Sequence, residues 1–182
     1  MQEVSVVIPN FNGMAYLDGV LSSLERQTIR NFEVILVDNG STDGSCAFVS
    51  AEYPWVHMIQ LPENYGFSRA VNEGIRAARS PYVLLLNNDT EAEPDFLEEM
   101  VAALRRHKKA FSCQAKMIQL HDRDKMDDAG NYYCALGWAF ARGKGKDISH
   151  YDREQKIFST CAGAAIYRKK FIDRIGDFDE EH

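Results

Sequence analysis

Short apolar runs alternate with amphipathic segments along the N-terminal part of the chain. Four of these runs have the length and the β-branched composition of buried strands, and they cover residues 4–8, 32–37, 57–61 and 82–86. Pro9 follows the first run directly. Because proline has no N–H to donate to a neighbouring strand, we predict that Pro9 ends this strand.

The segments that follow the runs carry apolar residues at helical spacing. Strands that alternate with helices of this length form βαβ units. The pattern therefore predicts an α/β fold with a mostly parallel central sheet flanked by helices. The predicted helices cover residues 15–27, about ten residues after residue 43, residues 67–78 and residues 96–104.

The pattern changes after Lys109. Residues 142–150 are polar, glycine-rich and without periodicity, so they form either a plain surface loop or a loop that orders over a ligand. The length of 182 residues predicts a single domain. In this part of the chain we predict one strand within residues 110–119, another at 139–141, a third within 159–167, and a short helix over 168–175.

Polar side chains follow the predicted strands. Asn10, Asp38, Asn64 and Asp89 lie at or just after the four strand ends. Right-handed crossovers place the carboxyl ends of parallel strands at one edge of a sheet, which is where open α/β sheets bind their ligands. The sequence therefore predicts that these side chains meet at one edge.

Asp89 lies directly after the most apolar run, next to Asn87 and Asn88. A carboxylate between amides suits a hard divalent cation that keeps several waters and takes further oxygens from a phosphorylated substrate. In the alternative, Asp89 or Thr90 is the N-cap of the helix that follows Pro94. Both interpretations fit the residues.

Asp38 and Asp43 flank the turn after the second strand. A carboxylate at this strand end can accept an N–H from a planar imide such as uracil, and a charged hydrogen bond of this kind contributes about 1.5–3 kcal/mol. The segment also suits an Asx turn that precedes a helix. We expect Asp43 to cap the next helix and Asp38 to contact a ligand.

Arg69 lies in the first turn of a predicted helix, just after Gly66, which is expected to adopt a turn conformation. A helix N-terminus offers free N–H groups and a positive dipole end, and Arg69 adds a planar cation. Arg69 either faces a base or a diphosphate, or it pairs with an acidic residue on the surface. The sequence leaves both alternatives open.

Charge and composition narrow the range of partners. The net charge of −6 argues against nucleic acid, although a small phosphorylated ligand can still be held by a metal and by backbone N–H groups. Neither a signal-peptide pattern nor an apolar run of the roughly 20 residues needed to span a membrane is present. The four cysteines are far apart, which argues against a zinc site or a disulfide framework and is typical of a cytosolic protein.

Several motifs occur in a recognisable order. Residues 5–13, 37–43, 63–74 and 85–90 read SVVIPNFNG, VDNGSTD, ENYGFSRAVNEG and LLNNDT, and they are followed by DDAG at 127–130, RGKG at 142–145 and GAAIYR at 163–168. Together they strongly resemble family 2 nucleotide-sugar glycosyltransferases of the A-type fold, and most closely the bacterial rhamnosyltransferase-like branch. The resemblance implies a nucleotide-binding half at residues 1–109 and an acceptor-side half at residues 110–182.

The resemblance also implies a role for each strand end. Asp38 and Arg69 would bind the nucleobase of the donor, with Pro9 and Asn10 beside it. Asn88 would approach the ribose. These five residues form the expected donor-binding set.

A metal is implied as well, with one departure from the family pattern. Asp89 would hold Mn²⁺ or Mg²⁺ on the donor diphosphate. The usual D-x-D reads Asn87-Asn88-Asp89 here, so an amide replaces one carboxylate. We therefore expect weak metal affinity without nucleotide, with the phosphates of the donor completing the site.

A second departure concerns the catalytic base. The chain ends at residues 176–182, whereas the family continues from this element into an acidic segment that carries the base. We therefore expect that the chain lacks the C-terminal part of the domain and that the base lies beyond His182. Asp179 and Glu180 are the candidates within the chain.

The function implied by the resemblance is inverting transfer of a sugar from a UDP- or dTDP-sugar to an acceptor hydroxyl, in the synthesis of a bacterial surface polysaccharide or glycan. The acceptor would be a saccharide or a lipid-linked saccharide. The location would be cytoplasmic, or peripheral at the inner face of the membrane. The alternative is a nucleotide-sugar-binding module without transfer activity. A nicotinamide dehydrogenase is disfavoured because no G-x-G-x-x-G follows the first strand.

Overall fold

The computed structural model describes residues 2–181. The strands are β1 (Val4–Asn10), β2 (Phe32–Asp38), β3 (His57–Gln60), β4 (Tyr82–Leu86), β5 (Ser112–Gln114), β6 (Met117–Ile118), β7 (Met126–Asp128), β8 (Asn131–Tyr133), β9 (Ala139–Ala141) and β10 (Ala164–Arg168). The helices are α1 (Met14–Glu25), α2 (Ser45–Glu52), α3 (Phe67–Ala77), α4 (Phe96–Arg106) and α5 (Lys169–Ile175), together with a 3₁₀ turn at Ile148–His150.

A six-stranded sheet with the order β3-β2-β1-β4-β10-β5 forms the centre of the molecule. The first four strands along the chain are parallel, whereas β10 is antiparallel to both β4 and β5. The predicted α/β fold with a mostly parallel sheet is confirmed. Two further pairs, β6-β7 and β8-β9, form small antiparallel sheets within the segment between β5 and β10.

Pro9 does not end the first strand, contrary to the sequence prediction, because β1 continues to Asn10. Pairing between β1 and β4 stops at Val7 and Leu85, while pairing with β2 continues to the end of β1. The carbonyl of Asn10 accepts from the N–H of Asn39 after β2, so the neighbouring Pro9 faces the β4 side. No ladder bond is needed on that side, and the missing N–H of proline is therefore tolerated.

Smaller differences occur in the C-terminal part. The predicted strand within 110–119 is divided into β5 and β6, and the strand predicted within 159–167 begins only at Ala164. Strand β9 and helix α5 form where they were predicted. Short strands of two or three residues have too little periodicity for their bounds to be read from the sequence.

Hydrophobic layers cover both faces of the sheet. In β1, Val4, Val6 and Ile8 pack in the layer that contains α1 and α4, whereas Val7 packs in the layer that contains α3. Alternate residues of a strand point to opposite faces, so burial on both sides explains why the parallel strands are continuous apolar runs. No helix among residues 2–181 has the length and apolar composition to cross a membrane.

Helix α3 lies very close to the sheet at Gly74. A Cβ atom at this position would lie 2.2 Å from Cγ1 of Val7 and 3.2 Å from Cγ2 of Val37. Both valines are fully buried in strands and have little room to move. Gly74 thus sets the distance between α3 and the sheet.

Helix α3 also holds the C-terminal segment, residues 177–181. The side chain of Asn72 is fully buried. Its Nδ2 donates to the carbonyl of Phe178 at 2.8 Å, and its Oδ1 accepts the N–H of Phe178 at 2.9 Å. This reciprocal pair fixes the backbone of the segment beside α3.

We predict that Gly74→Ala destabilises the protein by about 1–3 kcal/mol, since the added methyl group overpacks Val7. Gly19→Ala is the matched control, because Gly19 lies in α1 and an added Cβ would find its nearest neighbour at 3.6 Å. That control should stabilise the protein by about 0.5–1 kcal/mol through helix propensity. Urea unfolding of both variants measures the difference, and equal effects at the two sites would contradict the packing argument.

Candidate functional site

A cleft of about 390 Å³ lies at the carboxyl ends of the parallel strands. It is built from the ends of β1, β2 and β4 and from the start of α3, so these strand ends meet at one edge as the sequence predicted. Its lining consists of apolar and amide side chains with a single carboxylate. The residues are Pro9, Asn10, Phe11, Asn39, Asn64, Gly66, Phe67, Ala70, Asn87, Asn88 and Asp89.

The side chain of Asn10 joins three strand ends. Its Nδ2 donates to Oδ1 of Asp38 at 2.9 Å and to Oγ of Ser41 at 3.2 Å. Its Oδ1 accepts from Nδ2 of Asn88 at 2.8 Å. Because Asn10 is only 2% exposed, these hydrogen bonds lie away from competing water and hold β2, β1 and β4 together at the base of the cleft.

Asp38 lies behind Asn10 and is not among the residues that line the cleft. It is 2% exposed, and both of its carboxylate oxygens are used, Oδ1 by Asn10 and Oδ2 by the N–H of Ser41 at 2.9 Å. Burial acts to raise the pKa of Asp38. The hydrogen bonds from Ser41, Asn10 and Cys46 outweigh burial and hold the pKa below its ordinary value, so the carboxylate is ionised at neutral pH.

Gly13 leaves room for the contact between Asn10 and Asn88. A Cβ on Gly13 would lie 2.3 Å from Oδ1 of Asn10 and 2.1 Å from Nδ2 of Asn88, which are the two atoms of their hydrogen bond. Any side chain at position 13 would therefore displace the amides. Gly13 is needed for space here, since its φ of −102° is open to other residues.

Asn39 has a similar role that the sequence analysis missed. It is 4% exposed, donates to Oδ1 of Asn64 at 2.8 Å and to the carbonyl of Gly66 at 3.0 Å, and accepts the N–H of Tyr65. These bonds fasten the loop before α3 to the end of β2. The feature of the sequence that pointed to this turn was the Asn39-Gly40 pair. Gly40 has φ +78°, and a Cβ at this position would lie 2.6 Å from Cα of Glu63.

Contrary to the sequence prediction, Asp43 does not occupy the N-cap position of the next helix, but its carboxylate accepts N–H groups at two helix starts. The N-cap residue of α2 is Gly44, which has φ +93°, and Asp43 precedes it. Oδ1 of Asp43 accepts the N–H of Ser45 at 3.0 Å and Oδ2 accepts the N–H of Met14 at 2.9 Å. One carboxylate therefore serves the first residues of two helices, α1 and α2, which stabilises both N-termini.

Asp89 is exposed on the rim of the cleft. The backbone before it is held by a bond from the N–H of Asn87 to the carbonyl of Gly163 at 2.9 Å, and the hydroxyl of Thr90 donates to the carbonyl of Asn87. Helix α4 begins only at Phe96, so the alternative in which Asp89 or Thr90 caps that helix is wrong. Within residues 2–181 no cluster of three or more His, Cys, Asp or Glu side chains could hold a metal alone.

Arg69 lies on the surface of α3 and forms ion pairs with two acidic residues. Its Nη1 lies 2.9 Å from Oε2 of Glu180 and its Nε lies 3.1 Å from Oε1 of Glu73. Of the two alternatives left open by the sequence, the acidic partner is the one present, and Arg69 is not among the residues that line the cleft.

The carboxylate of Glu180 accepts hydrogen bonds from three side chains. Asn72 donates to it at 2.7 Å, in addition to Arg69 and a longer contact from Arg76 at 3.3 Å. The amide of Asn72 and the guanidinium of Arg69 hold the pKa of Glu180 below its usual range. Asp179 accepts the N–H of Glu181 at 2.9 Å. Neither candidate for the base lines the cleft.

Among the expected donor-binding and metal residues, Pro9, Asn10, Asn88 and Asp89 thus line one cleft. Asp38 adjoins it through Asn10. The structure adds Asn39, which follows β2, together with Phe11 and Phe67, which are each 47% exposed, and Asn64 from the loop before α3 also lines the cleft. Exposed aromatic rings beside polar amides suit a flat ligand that both stacks and forms hydrogen bonds.

We predict that Asn10→Leu lowers the free energy of unfolding by about 1–3 kcal/mol near neutral pH, because it leaves the Asp38 carboxylate buried without one of its donors. The loss should shrink at acid pH. In the wild type the contribution of Asp38 is present above its ordinary pKa of 3.8 and disappears as the pH falls through the lowered folded value. In the variant, protonation removes the penalty of the unpaired charge.

The matched control for this prediction is Asn31→Leu, since Asn31 is exposed and its side chain donates to Glu3 in a solvent-exposed hydrogen bond. It should change stability by no more than about 0.5 kcal/mol. Denaturant unfolding of both variants at neutral and acid pH gives the comparison. A loss in Asn10→Leu that stays constant with pH would contradict the role assigned to the buried carboxylate.

Comparisons with known proteins agree with this architecture. TuaG of Bacillus subtilis, a putative teichuronic acid biosynthesis glycosyltransferase, is 29% identical over 128 residues, which cover 68% of this chain and 50% of TuaG. The structure of S. aureus TarS 1–349 in complex with UDP matches with a TM-score of 0.72 and 23% identity over 99% of this chain and 51% of that chain. A mannosyltransferase of Pyrobaculum calidifontis, solved with GDP-Man and Mn²⁺, matches with a TM-score of 0.68 and 18% identity over 98% of this chain and 48% of that chain.

These structural likenesses show the A-type glycosyltransferase fold. The chain spans between 29% and 63% of the length of three curated relatives that it matches. The family model described as glycosyl transferase family 2 matches residues 5–176, which include every strand end that forms the cleft. The chain belongs to glycosyl transferase family 2.

Proposed function

We propose that the chain carries the donor site of an inverting glycosyltransferase, which moves a sugar from a UDP- or dTDP-sugar to an acceptor hydroxyl in the synthesis of a bacterial surface polysaccharide. The observation that carries this proposal is the cleft in which the ends of β1, β2 and β4 present amides and one carboxylate to a single volume. The relatives support it, since TuaG is named for teichuronic acid biosynthesis and TarS was solved with UDP.

The nucleotide would bind through Asn10, Asn88 and the residues around them. Because Nδ2 of Asn88 is committed to Asn10, its Oδ1 is the atom left to accept a ribose hydroxyl. The exposed rings of Phe11 and Phe67 at the cleft offer surfaces for stacking. Asp38 would accept the imide N–H of the base at a carboxylate oxygen, which has lone pairs beyond those that Asn10 and Ser41 use.

Arg69 would contribute to donor binding after an exchange of partners. Its guanidinium is bound to Glu180 and Glu73, and 46% of its side chain is exposed, so solvent screens both ion pairs. An exposed pair of this kind contributes little to stability, and a diphosphate can therefore compete for the guanidinium.

The cleft fits a divalent cation that arrives with the donor. Asp89 supplies an exposed carboxylate on the rim, and the neighbouring Asn87 has an amide oxygen, which is a hard ligand. Asp89 would hold Mn²⁺ or Mg²⁺, which would neutralise charge on the leaving diphosphate. A single carboxylate gives weak affinity, in keeping with the amide that replaces the first carboxylate of the family pattern.

Alignment is the main contribution that this part of the chain can make to catalysis. Holding donor and acceptor in line is worth up to about 7–11 kcal/mol of the barrier. Deprotonation of the acceptor hydroxyl requires a carboxylate with a free oxygen near the sugar. Glu180 is poorly suited, because two strong donors hold its pKa below the usual range.

We predict that UDP or dTDP with Mn²⁺ raises the melting temperature of the wild type, and that Asp89→Asn abolishes the part of the shift that depends on the cation. At a nucleotide concentration about 100 times the Kd, the expected stabilisation is about 2.7 kcal/mol, or roughly 5–10 °C for a chain of this size. Thermal unfolding with and without Mn²⁺ measures it.

Glu93→Gln is the matched control for Asp89→Asn. It removes the same charge from an exposed residue of the same segment that is not part of the cleft lining. Its nucleotide response should equal that of the wild type. A shift in Asp89→Asn that equals the wild-type shift would remove Asp89 from the site, and the absence of any nucleotide effect in the wild type would contradict the proposed function.

The second candidate function is a nucleotide-sugar-binding module without transfer, favoured by the ion-paired state of Glu180. For the 182-residue chain we expect donor binding with little or no transfer, for the same reason. Release of nucleoside diphosphate from a panel of UDP- and dTDP-sugars, with water or simple saccharides as acceptor, tests this. Rapid release would show that an effective base lies within these residues, and Glu180→Gln and Asp179→Asn would then identify it.

A further inference from the structure

Strands β8 and β9 form an apolar hairpin, residues 131–141, whose hydrophobic side chains face solvent. Leu136 and Trp138 near its tip are 83% and 66% exposed. Within residues 2–181, 16 large hydrophobic side chains are exposed, and five of them lie in these eleven residues: Tyr132, Tyr133, Leu136, Trp138 and Phe140. Such a concentration of exposed apolar area marks an interaction surface rather than scattered surface residues.

The apolar surface continues beyond the hairpin. The ring of Phe158 stacks on Tyr133 with a centroid distance of 5.2 Å and an interplanar angle of 18°, and Phe158 is itself 70% exposed. Phe158 also borders a second cleft of about 300 Å³, to which Phe111 and Ile175 contribute. Ile175 is 69% exposed. The hairpin is therefore part of a broad apolar face.

The charges in the turn that follows the hairpin are all positive. The apolar hairpin contains no charged residue, and the basic turn that follows it, residues 142–146, reads Arg-Gly-Lys-Gly-Lys. Lys144 and Lys146 are exposed, and Arg142 lies over the ring of Tyr151 at 4.9 Å. The basic turn thus carries three cations and no carboxylate, although the chain has a net charge of −6.

The backbone fixes the basic turn at the base of the hairpin. The N–H of Arg142 donates to the carbonyl of Gly130, and the carbonyl of Arg142 accepts the N–H of Ala129. The next carboxylate, Asp147, is bound to the N–H and hydroxyl of Ser149. The cations of the basic turn therefore follow the base of the same hairpin that carries the exposed apolar side chains.

We propose that the apolar hairpin and the basic turn dock together on the surface of an anionic lipid bilayer. Trp and Tyr rings favour the boundary between headgroups and acyl chains, and Leu136 at the tip would enter the apolar layer. The cations of the basic turn would lie among anionic headgroups, where each contributes about fivefold to the partition coefficient.

A second copy of the chain is a less suitable occupant. In a two-fold symmetric contact both copies bury the same surface, so the six cations of the two basic turns would enter one interface to which these turns bring no carboxylate. An anionic bilayer accepts both the apolar and the positive part of the surface. This proposal does not rest on the donor site and holds whether or not the chain transfers sugar.

The first experiment measures flotation of the 182-residue chain with vesicles of phosphatidylcholine alone and with added phosphatidylglycerol. We expect the wild type to float with the anionic vesicles. The double variant that combines Leu136→Ser and Trp138→Ser should have a partition coefficient lower by about tenfold or more. Tyr16→Ser is the control, because Tyr16 is 50% exposed on α1. It should bind like the wild type, and thermal unfolding verifies that all variants are folded.

The second experiment removes charge without changing the apolar side chains. Lys144→Gln with Lys146→Gln should lower binding to anionic vesicles by about 25-fold. The matched control, Arg26→Gln with Arg79→Gln, removes the same two charges from exposed positions after α1 and α3. Equal losses in the two double variants would show attraction by net charge alone and would overturn the assignment to the basic turn.

A fluorescence readout locates the contact. Trp55→Phe leaves Trp138 as the single tryptophan, and its emission should shift to shorter wavelength on anionic vesicles. An unshifted emission, or no flotation of the wild type, would overturn the proposal. Self-association in solution that disappears in Leu136→Ser with Trp138→Ser, without vesicle binding, would also overturn it and would assign the surface to a second copy.

Discussion

The buried side chain of Asn10 is the contact on which the cleft depends. A single amide has one donor group and one acceptor oxygen, and Asn10 uses the donor toward Asp38 and the acceptor toward Asn88. Three strands that the chain visits far apart in sequence are thereby fixed at their carboxyl ends. The arrangement requires a residue without a side chain at position 13, because any Cβ there would occupy the place of the hydrogen bond. The shape of the cleft thus follows from one amide and one glycine.

The cleft is built mostly from amides, and this has consequences for its chemistry. Amides position a ligand without repelling the phosphates that the ligand carries, whereas several carboxylates would need a bound cation to offset their charge. Asp89 is the only carboxylate that lines the cleft within the described residues, and the charge of the buried Asp38 is stabilised by its hydrogen bonds. We therefore expect nucleotide and cation to bind together and each to bind weakly alone.

Helix α3 connects the cleft with the C-terminal segment. Its start lines the cleft, Gly74 packs against the sheet, and Asn72 holds the C-terminal segment. Arg69 lies between these features and binds Glu180 of that segment. An exchange of Glu180 for a donor phosphate at Arg69 would therefore affect the segment next to Asn72.

The parallel sheet, its flanking helices and the grouping of strand ends followed from the sequence, because apolar runs of strand length and stripes of helical spacing reflect burial directly. The motifs also indicated Asn10, Asn88 and Asp89 as site residues, and these three residues line the cleft. Only the tertiary structure decided that Pro9 continues β1, that Asn39 fastens the loop before α3, and that Arg69 is bound to Glu180. Each of these depends on a partner distant in the chain or on where a neighbouring strand ends. A sequence pattern records which side of an element is buried, but it does not record which polar group lies opposite.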